Sequence, residues 1–179
     1  IAALTSEQVS HLETADLAAL TTAQIRALTA ANIAALTTDE VVAMTTQQFA
    51  ALTSGQLRAF DTSQIAAIET ADLAALSTAQ IRAFGTAAIG ALTTAETVAL
   101  TSAQVAALSS VQLAALSTAD VAVIETADLV AISPANVRAF GSDQLAALTT
   151  NQLQALTSAQ IAALTTAQVA SLATDDLMH

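Results

Sequence analysis

The stretch Leu20-Thr21-Thr22-Ala23-Gln24-Ile25-Arg26-Ala27 is one unit of a pattern that fills the chain of 179 residues. A large apolar residue returns at every eighth position from Leu4 to Leu172 without a miss, which defines 22 tandem octads. A repeat this short and strict is typical of one small structural unit that is stacked many times. We therefore predict a single repeat array over residues 1–179.

The eight positions of each octad, labelled a to h from the periodic apolar residue, have fixed characters. Position a is large and apolar, position f is apolar except at Thr97, and position h is usually Ala. Position b is mostly Ser or Thr, and position c is Ser or Thr except at Ala30 and Pro134. Position e is Gln, Asn, Asp or Glu except at Ala88.

This arrangement contains two signals for the start of a helix. With position b as N-cap, Thr21 and Gln24 form a capping box, in which each side chain bonds to the backbone N–H of the other residue. Leu20 and Ile25 then form the two ends of a hydrophobic staple. Pro134 at position c falls on the first helical residue, where proline is well tolerated. The pattern predicts one short helix in every octad.

The placement of charges supports the same helix boundaries. All 15 acidic residues lie at positions b, d or e, in the predicted first turn, where the helix dipole favours negative charge. All four cations lie at position g, in the last turn: Arg26, Arg58, Arg82 and Arg138. We expect the acidic residues to form a solubilising surface.

Two kinds of unit depart from the pattern. Where Glu occupies position b, we expect the Thr at position c to serve as N-cap and to move the helix start by one residue. These pairs are Glu13 and Thr14, Glu69 and Thr70, and Glu125 and Thr126. Thr97 is the one polar residue at position f, and we expect Val98 to turn inward in its place.

Two other folds fit the pattern less well. In one continuous helix the apolar residues would advance about 80° per octad and form no single buried stripe. In a β-solenoid the adjacent residues at b and c would point to opposite faces, and the Ala-rich segments have low β propensity. Isolated helices this short are unstable in water. We therefore predict an all-α solenoid of very short capped helices, one per octad, around a Leu/Ile/Val core.

A second period of 56 residues, or seven octads, lies above the first. The Leu-Glu-Thr-Ala-Asp segment that starts at Leu12 returns at Ile68 and Ile124, and an Arg-containing octad follows each copy. Duplication of a seven-octad block is one explanation. Two superhelical turns of about 3.5 octads each are another, and the sequence leaves both open, together with the handedness.

Composition excludes several functional classes. The chain has no Cys, which rules out disulfides and thiolate chemistry. Its net charge of −11 and its lack of Lys argue against nucleic-acid or anionic-membrane binding. Polar clusters interrupt every octad, so we expect no membrane insertion, and no signal peptide is visible. Because the chain begins inside a repeat, we expect it to be a fragment of a longer array.

No residue group predicts a catalytic, cofactor or metal site. We assign a structural role to His11 and a structural or tag-derived role to His179, since the two histidines lie at opposite ends of the chain. We interpret three carboxylate pairs as helix-dipole partners, because calcium needs six to eight oxygens. The pairs are Glu13 and Asp16, Glu69 and Asp72, and Glu125 and Asp128. Four aromatic residues are expected in the core: Phe49, Phe60, Phe84 and Phe140.

The Ala-Leu-Thr-Thr-Ala-Gln-type units, seen most clearly from Leu148 to Leu172, resemble octapeptide repeats of very large, adhesin-like bacterial secreted or surface proteins. The resemblance implies an extracellular or cell-surface location and a structural or adhesive role. The segment Leu36–Met44 also resembles the first helix of TAL-effector repeats, but those repeats are much longer and read DNA, for which the charge here has the wrong sign.

These observations predict a structural segment and no enzyme. The first hypothesis is a spacer or stalk in a large bacterial surface or secreted protein, whose partners are the neighbouring repeats of the same chain. The alternative is a protein-interaction scaffold that binds another protein along one face of the solenoid. A third hypothesis, an acidic mimic of nucleic acid, is disfavoured because about one carboxylate per octad is sparse beside the phosphates of DNA.

Overall fold

The computed structural model describes residues 3–172, apart from the side chain of Ser171. Short α-helices of four to six residues are the regular elements of this described part, which contains no strand. None of these helices is long enough to cross a membrane. The chain divides into two compact units, Ile1–Ala91 and Leu92–His179. The all-α fold predicted from the octads is confirmed.

One helix lies in each octad of the described residues. In the first unit the helices are α1 Ser6–Val9, α2 Thr14–Ala18, α3 Thr22–Ala27, α4 Ala30–Ala34, α5 Thr38–Ala43, α6 Thr46–Ala51, α7 Ser54–Leu57, α8 Thr62–Ile65, α9 Thr70–Ala75, α10 Thr78–Ile81 and α11 Thr86–Ile89. In the second unit they are α12 Thr94–Ala99, α13 Ser102–Ala107, α14 Ser110–Leu113, α15 Thr118–Val123, α16 Thr126–Ala131, α17 Pro134–Val137, α18 Ser142–Ala146, α19 Thr150–Ala155, α20 Ser158–Ala163 and α21 Thr166–Ser171.

Each helix begins at position c, as the capping pattern predicts. In α3 the N-cap Thr21 has extended backbone angles, φ −68° and ψ 157°, and its side chain accepts a hydrogen bond from the Gln24 N–H. In the reciprocal bond, the Thr21 N–H donates to Gln24 Oε1 at 2.8 Å. Leu28, at position a of the next octad, is again extended, with φ −66° and ψ 140°. Leu28 and the next N-cap, Thr29, are both extended, and this pair changes the chain direction between α3 and α4.

The expected change of N-cap in the Glu-containing octads is wrong. Glu13, Glu69 and Glu125 are themselves the N-caps, in extended conformation, although none of their side chains makes a capping hydrogen bond. The helices consequently begin at Thr14, Thr70 and Thr126, in register with all the others. Packing of the helices against their neighbours therefore determines the helix start more strongly than the local cap does.

In the first unit, Ile1–Ala91, helices that are three apart in chain order pack on each other. Helix α3 contacts α6, and α6 contacts α9; the same spacing joins α2 to α5 and α5 to α8. Position f supplies fully buried side chains such as Ile25, Phe49 and Leu73, and position a supplies nearly buried ones such as Leu52. The rings of Phe49 and Phe60 stack with centroids 6.2 Å apart. Positions a and f form the core of this unit, as predicted.

In the second unit, Leu92–His179, the same spacing holds. Helix α13 contacts α16, which contacts α19, and α12 contacts α15. Leu113, Leu129 and Leu145 at position f are fully buried. The core placement of all four phenylalanines is confirmed across the two units, since Phe49, Phe60, Phe84 and Phe140 are all buried.

The inward turn expected of Val98 does not occur. Thr97 keeps the core position, with 2% of its surface exposed, and Val98 is 46% exposed. The Thr97 hydroxyl donates a hydrogen bond to Asp120 Oδ1 at 3.2 Å, so the buried polar group has a partner. A rotation that buried Val98 would break the register of α12 with α15, and this outweighs the polarity of a single side chain.

Candidate functional site

The glutamine side chains at position e connect helices that are far apart in sequence. Gln64 is 1% exposed, and its Nε2 donates to the carbonyl of Ile33 at 2.9 Å and to that of Leu36 at 2.6 Å. Its Oε1 at the same time accepts from the Asp61 N–H at 2.9 Å. One amide therefore caps its own helix and binds the end of an earlier one. In the first unit Gln48, Gln56 and Gln80 make the same bonds.

The second unit repeats this arrangement. Gln152 Nε2 donates to the carbonyl of Val121 at 2.8 Å and to that of Ile124 at 2.7 Å. Gln144 and Gln160 bind the carbonyls at the same offsets, and Gln168 binds that of Phe140. We call these position-e amides the amide ladder. Its members are Gln48, Gln56, Gln64 and Gln80 in the first unit and Gln144, Gln152, Gln160 and Gln168 in the second.

The amide ladder supplies hydrogen-bond partners for the backbone carbonyls at the ends of the short helices. The last carbonyls of a helix have no partner within it, and burying them unbonded costs free energy. Position a, such as Leu28, is extended, and its carbonyl accepts from a ladder amide instead of from a helix N–H. A Gln amide offers two donors and an acceptor. It is long enough both to cap its own helix and to reach two carbonyls of an earlier helix, whereas the Asn side chain is one methylene shorter. Asn136 Nδ2 accordingly donates to one earlier carbonyl, that of Leu108 at 3.0 Å.

The ladder also shows how many octads separate stacked residues within a unit. Gln64 and Leu36 are 28 residues apart, and Gln152 and Ile124 are 28 residues apart. Twenty-eight residues are three and a half octads. The explanation of the 56-residue period as two superhelical turns agrees with this spacing inside each unit.

Carboxylates occupy some ladder positions, and there the expected acidic surface is corrected. Glu40, Asp72 and Glu96 are each only 2% exposed, and Asp120 and Asp128 are also buried. One oxygen of Glu40, of Asp72 and of Glu96 is buried without a hydrogen-bond partner. A carboxylate has no donor for earlier carbonyls, so these octads lack the bonds that a Gln would make. The charge pattern suggested exposure because position e lies in the first helical turn.

The two buried aspartates of the 56-residue repeat take a different partner. The hydroxyl of Ser102, at position c, donates to Asp128 Oδ1, and the hydroxyl of Thr46 hydrogen-bonds to Asp72. Burial raises the pKa of Asp72, while the Thr46 hydroxyl opposes the rise and nearby Glu69 adds to it. Asp72 is buried and Glu69 is exposed, so the two carboxylates do not share one surface.

A substitution at Glu40 tests whether the missing amide donor lowers the stability of the fold. By the register of the ladder, Glu40→Gln places an amide donor toward the carbonyls of Val9 and Leu12, and we expect a gain of about 1–2 kcal/mol in the free energy of unfolding. Urea unfolding followed by circular dichroism measures it. The control is Asp39→Asn, which removes the same charge from an exposed neighbour and should change stability little. Equal gains in both variants would show that reduced charge repulsion, and not the amide, is the cause.

The other residues considered as sites do not come together. His11 contacts the carbonyl of Glu7 at 2.8 Å, in the same octad, and His179 lies outside the described residues. Glu13 and Asp16 are both exposed. Within residues 3–172 no cluster of three or more His, Asp or Glu side chains could hold a metal ion.

An open groove lies between α3 and α6 in the first unit. Arg26 lines it, with Thr22, Ala23 and Ala50 among its neighbours. The Arg26 Nε–H donates to the carbonyl of Ala51 at 2.9 Å, at the end of α6. An arginine at this place stabilises a helix C-terminus through charge and hydrogen bonding. The groove is thus part of the contact between α3 and α6.

A known repeat matches most of the chain. The sequence profile of the ALTTAQ repeat matches residues 9–46, 65–102, 121–158 and 145–177. The chain belongs to the ALTTAQ repeat family. The first three matches of the ALTTAQ repeat begin at residues 9, 65 and 121, at the 56-residue spacing of the higher-order repeat. The predicted resemblance to octapeptide repeats of this type is confirmed.

The letters of the name ALTTAQ correspond to octad positions that include those of the ladder and the caps. Its Leu is position a, its two Thr are positions b and c, and its Gln is position e. No curated protein matches the chain. Membership therefore establishes a tandem-repeat segment and leaves its role to physical argument.

Proposed function

We propose that this segment is a non-catalytic spacer or stalk within a large bacterial surface or secreted protein. The observation that carries the proposal is the amide ladder, because in eight octads the position-e amide binds carbonyls of the same chain about 28 residues earlier and so holds the stacked helices together. A repeat of this kind can be lengthened octad by octad while each added unit meets the same partners. Length is then the property that such a segment supplies to a larger protein.

The exposed positions favour a spacer over an interaction scaffold. Positions d and g are mostly Ala, as in the exposed Ala31, Ala34 and Ala87, and they offer little charge or hydrogen bonding to a partner. Binding surfaces depend on a few large anchors, chiefly Trp, Tyr and Arg. The chain has no Trp or Tyr, and its four Arg are scattered over different octads. The scaffold along one solenoid face is the alternative function.

The extracellular or cell-surface location is part of the proposal. It rests on the resemblance of the octads to repeats of bacterial secreted and surface proteins. The absence of Cys fits a segment that needs no disulfide, because its contacts recur in every octad. The net charge of −11 favours solubility at high local concentration.

A distance measurement inside the first unit tests the stiffness that a spacer requires. The chain contains no Cys, so Ala31→Cys and Ala87→Cys provide unique positions for spin labels on two exposed residues seven octads apart. We expect a single narrow distribution centred at ~20 Å between backbones, because two turns separate the labels and each turn rises by one helix diameter, about 10 Å. Double electron–electron resonance measures it.

The control and the contrary results separate the two functions. The same labelled protein in strong denaturant should give a broad distribution at longer distances. A broad or multimodal distribution in native buffer contradicts a stiff spacer. A specific protein partner that is captured by the intact segment, and is lost when the exposed Arg58 is replaced by Ala, would favour the scaffold.

A further inference from the structure

One octad of the second unit departs from the repeat at two adjacent positions. The octad that starts at Leu92 has Glu96 at the ladder position and Thr97 at the core position. Both side chains are 2% exposed, and Asp120, three octads further on, is 1% exposed. Helices α12 and α15, which carry these residues, pack directly on each other. The three polar side chains therefore form one buried cluster, the Glu96–Thr97–Asp120 cluster.

The hydrogen bonds of this cluster are unevenly distributed. Asp120 Oδ2 accepts from the hydroxyl of Ser117 at 2.6 Å, and its Oδ1 accepts from Thr97 at 3.2 Å. Glu96 Oε2 accepts from the Thr93 N–H. Glu96 Oε1 is buried without a partner. Both carboxylate oxygens of Asp120 accept hydrogen bonds, whereas Oε1 of Glu96 has no hydrogen-bond donor.

No positive charge compensates the two carboxyl groups from the helices that hold them. Glu96 is the one titratable residue in α12, and Asp120 is the one titratable residue in α15. Desolvation raises the pKa of Glu96 most strongly; the hydrogen bonds from Thr93 oppose the rise, and the charge of Asp120 adds to it. A buried carboxyl group beside a second one is least costly when it is protonated.

We propose that the Glu96–Thr97–Asp120 cluster is a proton-operated latch between α12 and α15. Binding of one proton at Glu96 Oε1 removes the repulsion between the carboxyl groups and converts an unpartnered acceptor into a donor. The protonated cluster therefore stabilises the contact between α12 and α15 more at acid pH than the ionised cluster does at neutral pH. The latch depends on α12 and α15 alone and holds whether or not the segment acts as a spacer.

The direction of the pH effect follows from proton linkage. The pKa of Glu96 lies above 4.5, its ordinary value, in the folded chain. The folded state therefore binds the proton more tightly than the unfolded state does, and stability falls as the pH rises from the ordinary value through the raised one. Ionised capping carboxylates elsewhere respond to pH independently, so the effect is defined as a difference between wild type and a variant.

Thermal unfolding of the full chain, followed by circular dichroism, provides the test. Glu96→Gln installs the residue that the repeat uses at this position, so the variant is expected to fold. At about pH 7.5 we expect its midpoint to exceed that of wild type by roughly 3 °C. At about pH 4 the difference should be smaller by roughly 2 °C, because wild-type Glu96 is then protonated and only the amide donors of Gln still distinguish the two chains. The control, Glu125→Gln, makes the same change at an exposed residue of the same unit and should leave the wild-type pH profile unchanged.

A second measurement follows Glu96 directly. In protein labelled with ¹³C at the glutamate carboxyl carbons, the signal absent from Glu96→Gln identifies Glu96, and Asp120→Asn should move its titration midpoint to lower pH. A Glu96 signal that titrates with the exposed glutamates overturns the latch. So does a Glu96→Gln variant that is no more stable than wild type near neutral pH. A calcium-induced rise in the midpoint of wild type that Glu96→Gln abolishes would replace the proton with a metal ion and likewise overturn it.

Discussion

Replacing Gln64 by Ala should lower the free energy of unfolding by about 3 kcal/mol. The substitution removes the donors to the carbonyls of Ile33 and Leu36 and the acceptor for the Asp61 N–H. These backbone groups lie in a site where Gln64 is 1% exposed, so water does not readily replace the lost bonds. Urea unfolding followed by circular dichroism measures the loss.

Gln24→Ala is the matched control for this prediction. Gln24 occupies the same position e and bonds to its own cap, the Thr21 N–H, at 2.8 Å, but it is exposed. Its replacement removes a solvent-accessible capping bond and should cost about 1 kcal/mol or less. A similar loss for Gln24 and Gln64 would mean that the capping box, and not the bond between distant helices, accounts for the strong preference for Gln.

Replacing Leu145 by Ala should also cost about 3 kcal/mol. Leu145 lies at position f of α18 and is fully buried in the second unit. Shortening it removes apolar contacts and leaves a cavity, because helices of five residues have little freedom to close around it. The free energy of unfolding from urea titration, with an unchanged dependence on urea concentration, is the relevant measurement.

Ile161→Ala provides the comparison at the same position of the repeat. Ile161 is also at position f of the second unit, but 49% of its surface is exposed. Its replacement should cost less than about 1 kcal/mol, because much of the removed surface is already in contact with water. Equal costs at the two positions would contradict a core whose stability derives from burial at position f.

Much of the local structure could be read from single octads. The N-cap at position b, the helix start at position c and the core positions a and f all follow from contacts within eight residues. Thr21, Gln24 and Ile25 illustrate this, because cap, box and staple are local interactions that recur in register. Repetition turned signals that are weak in one octad into a firm prediction.

The errors arose where a local preference opposed the packing of the repeat. Glu69 is a poor N-cap, yet the helix start does not move, because a shift would take Leu73 out of the core. Thr97 is polar, yet it remains inside because Asp120, from a helix three octads away, accepts a hydrogen bond from its hydroxyl. Neither outcome can be derived from one octad, since the deciding contact is distant in sequence.

The second role of Gln was missed for the same reason. A capping box predicts the use of its Oε1 but says nothing about its Nε2, whose partners lie 28 and 31 residues earlier. One signal was present in the sequence: Gln is far more frequent than Glu at position e, although either completes a capping box. An amide is preferred there because, unlike an ionised carboxylate, it can accept and donate at once.

By itself, the sequence determined that the chain is a tandem array of short capped helices with apolar residues at positions a and f. Capping and staple contacts act within one octad, so the helix positions that they set can be predicted from the sequence. Only the tertiary structure decided which octads meet, which carbonyls the ladder binds and which carboxylates are buried. Those features depend on contacts more than twenty residues apart, and their geometry is set when successive helices stack.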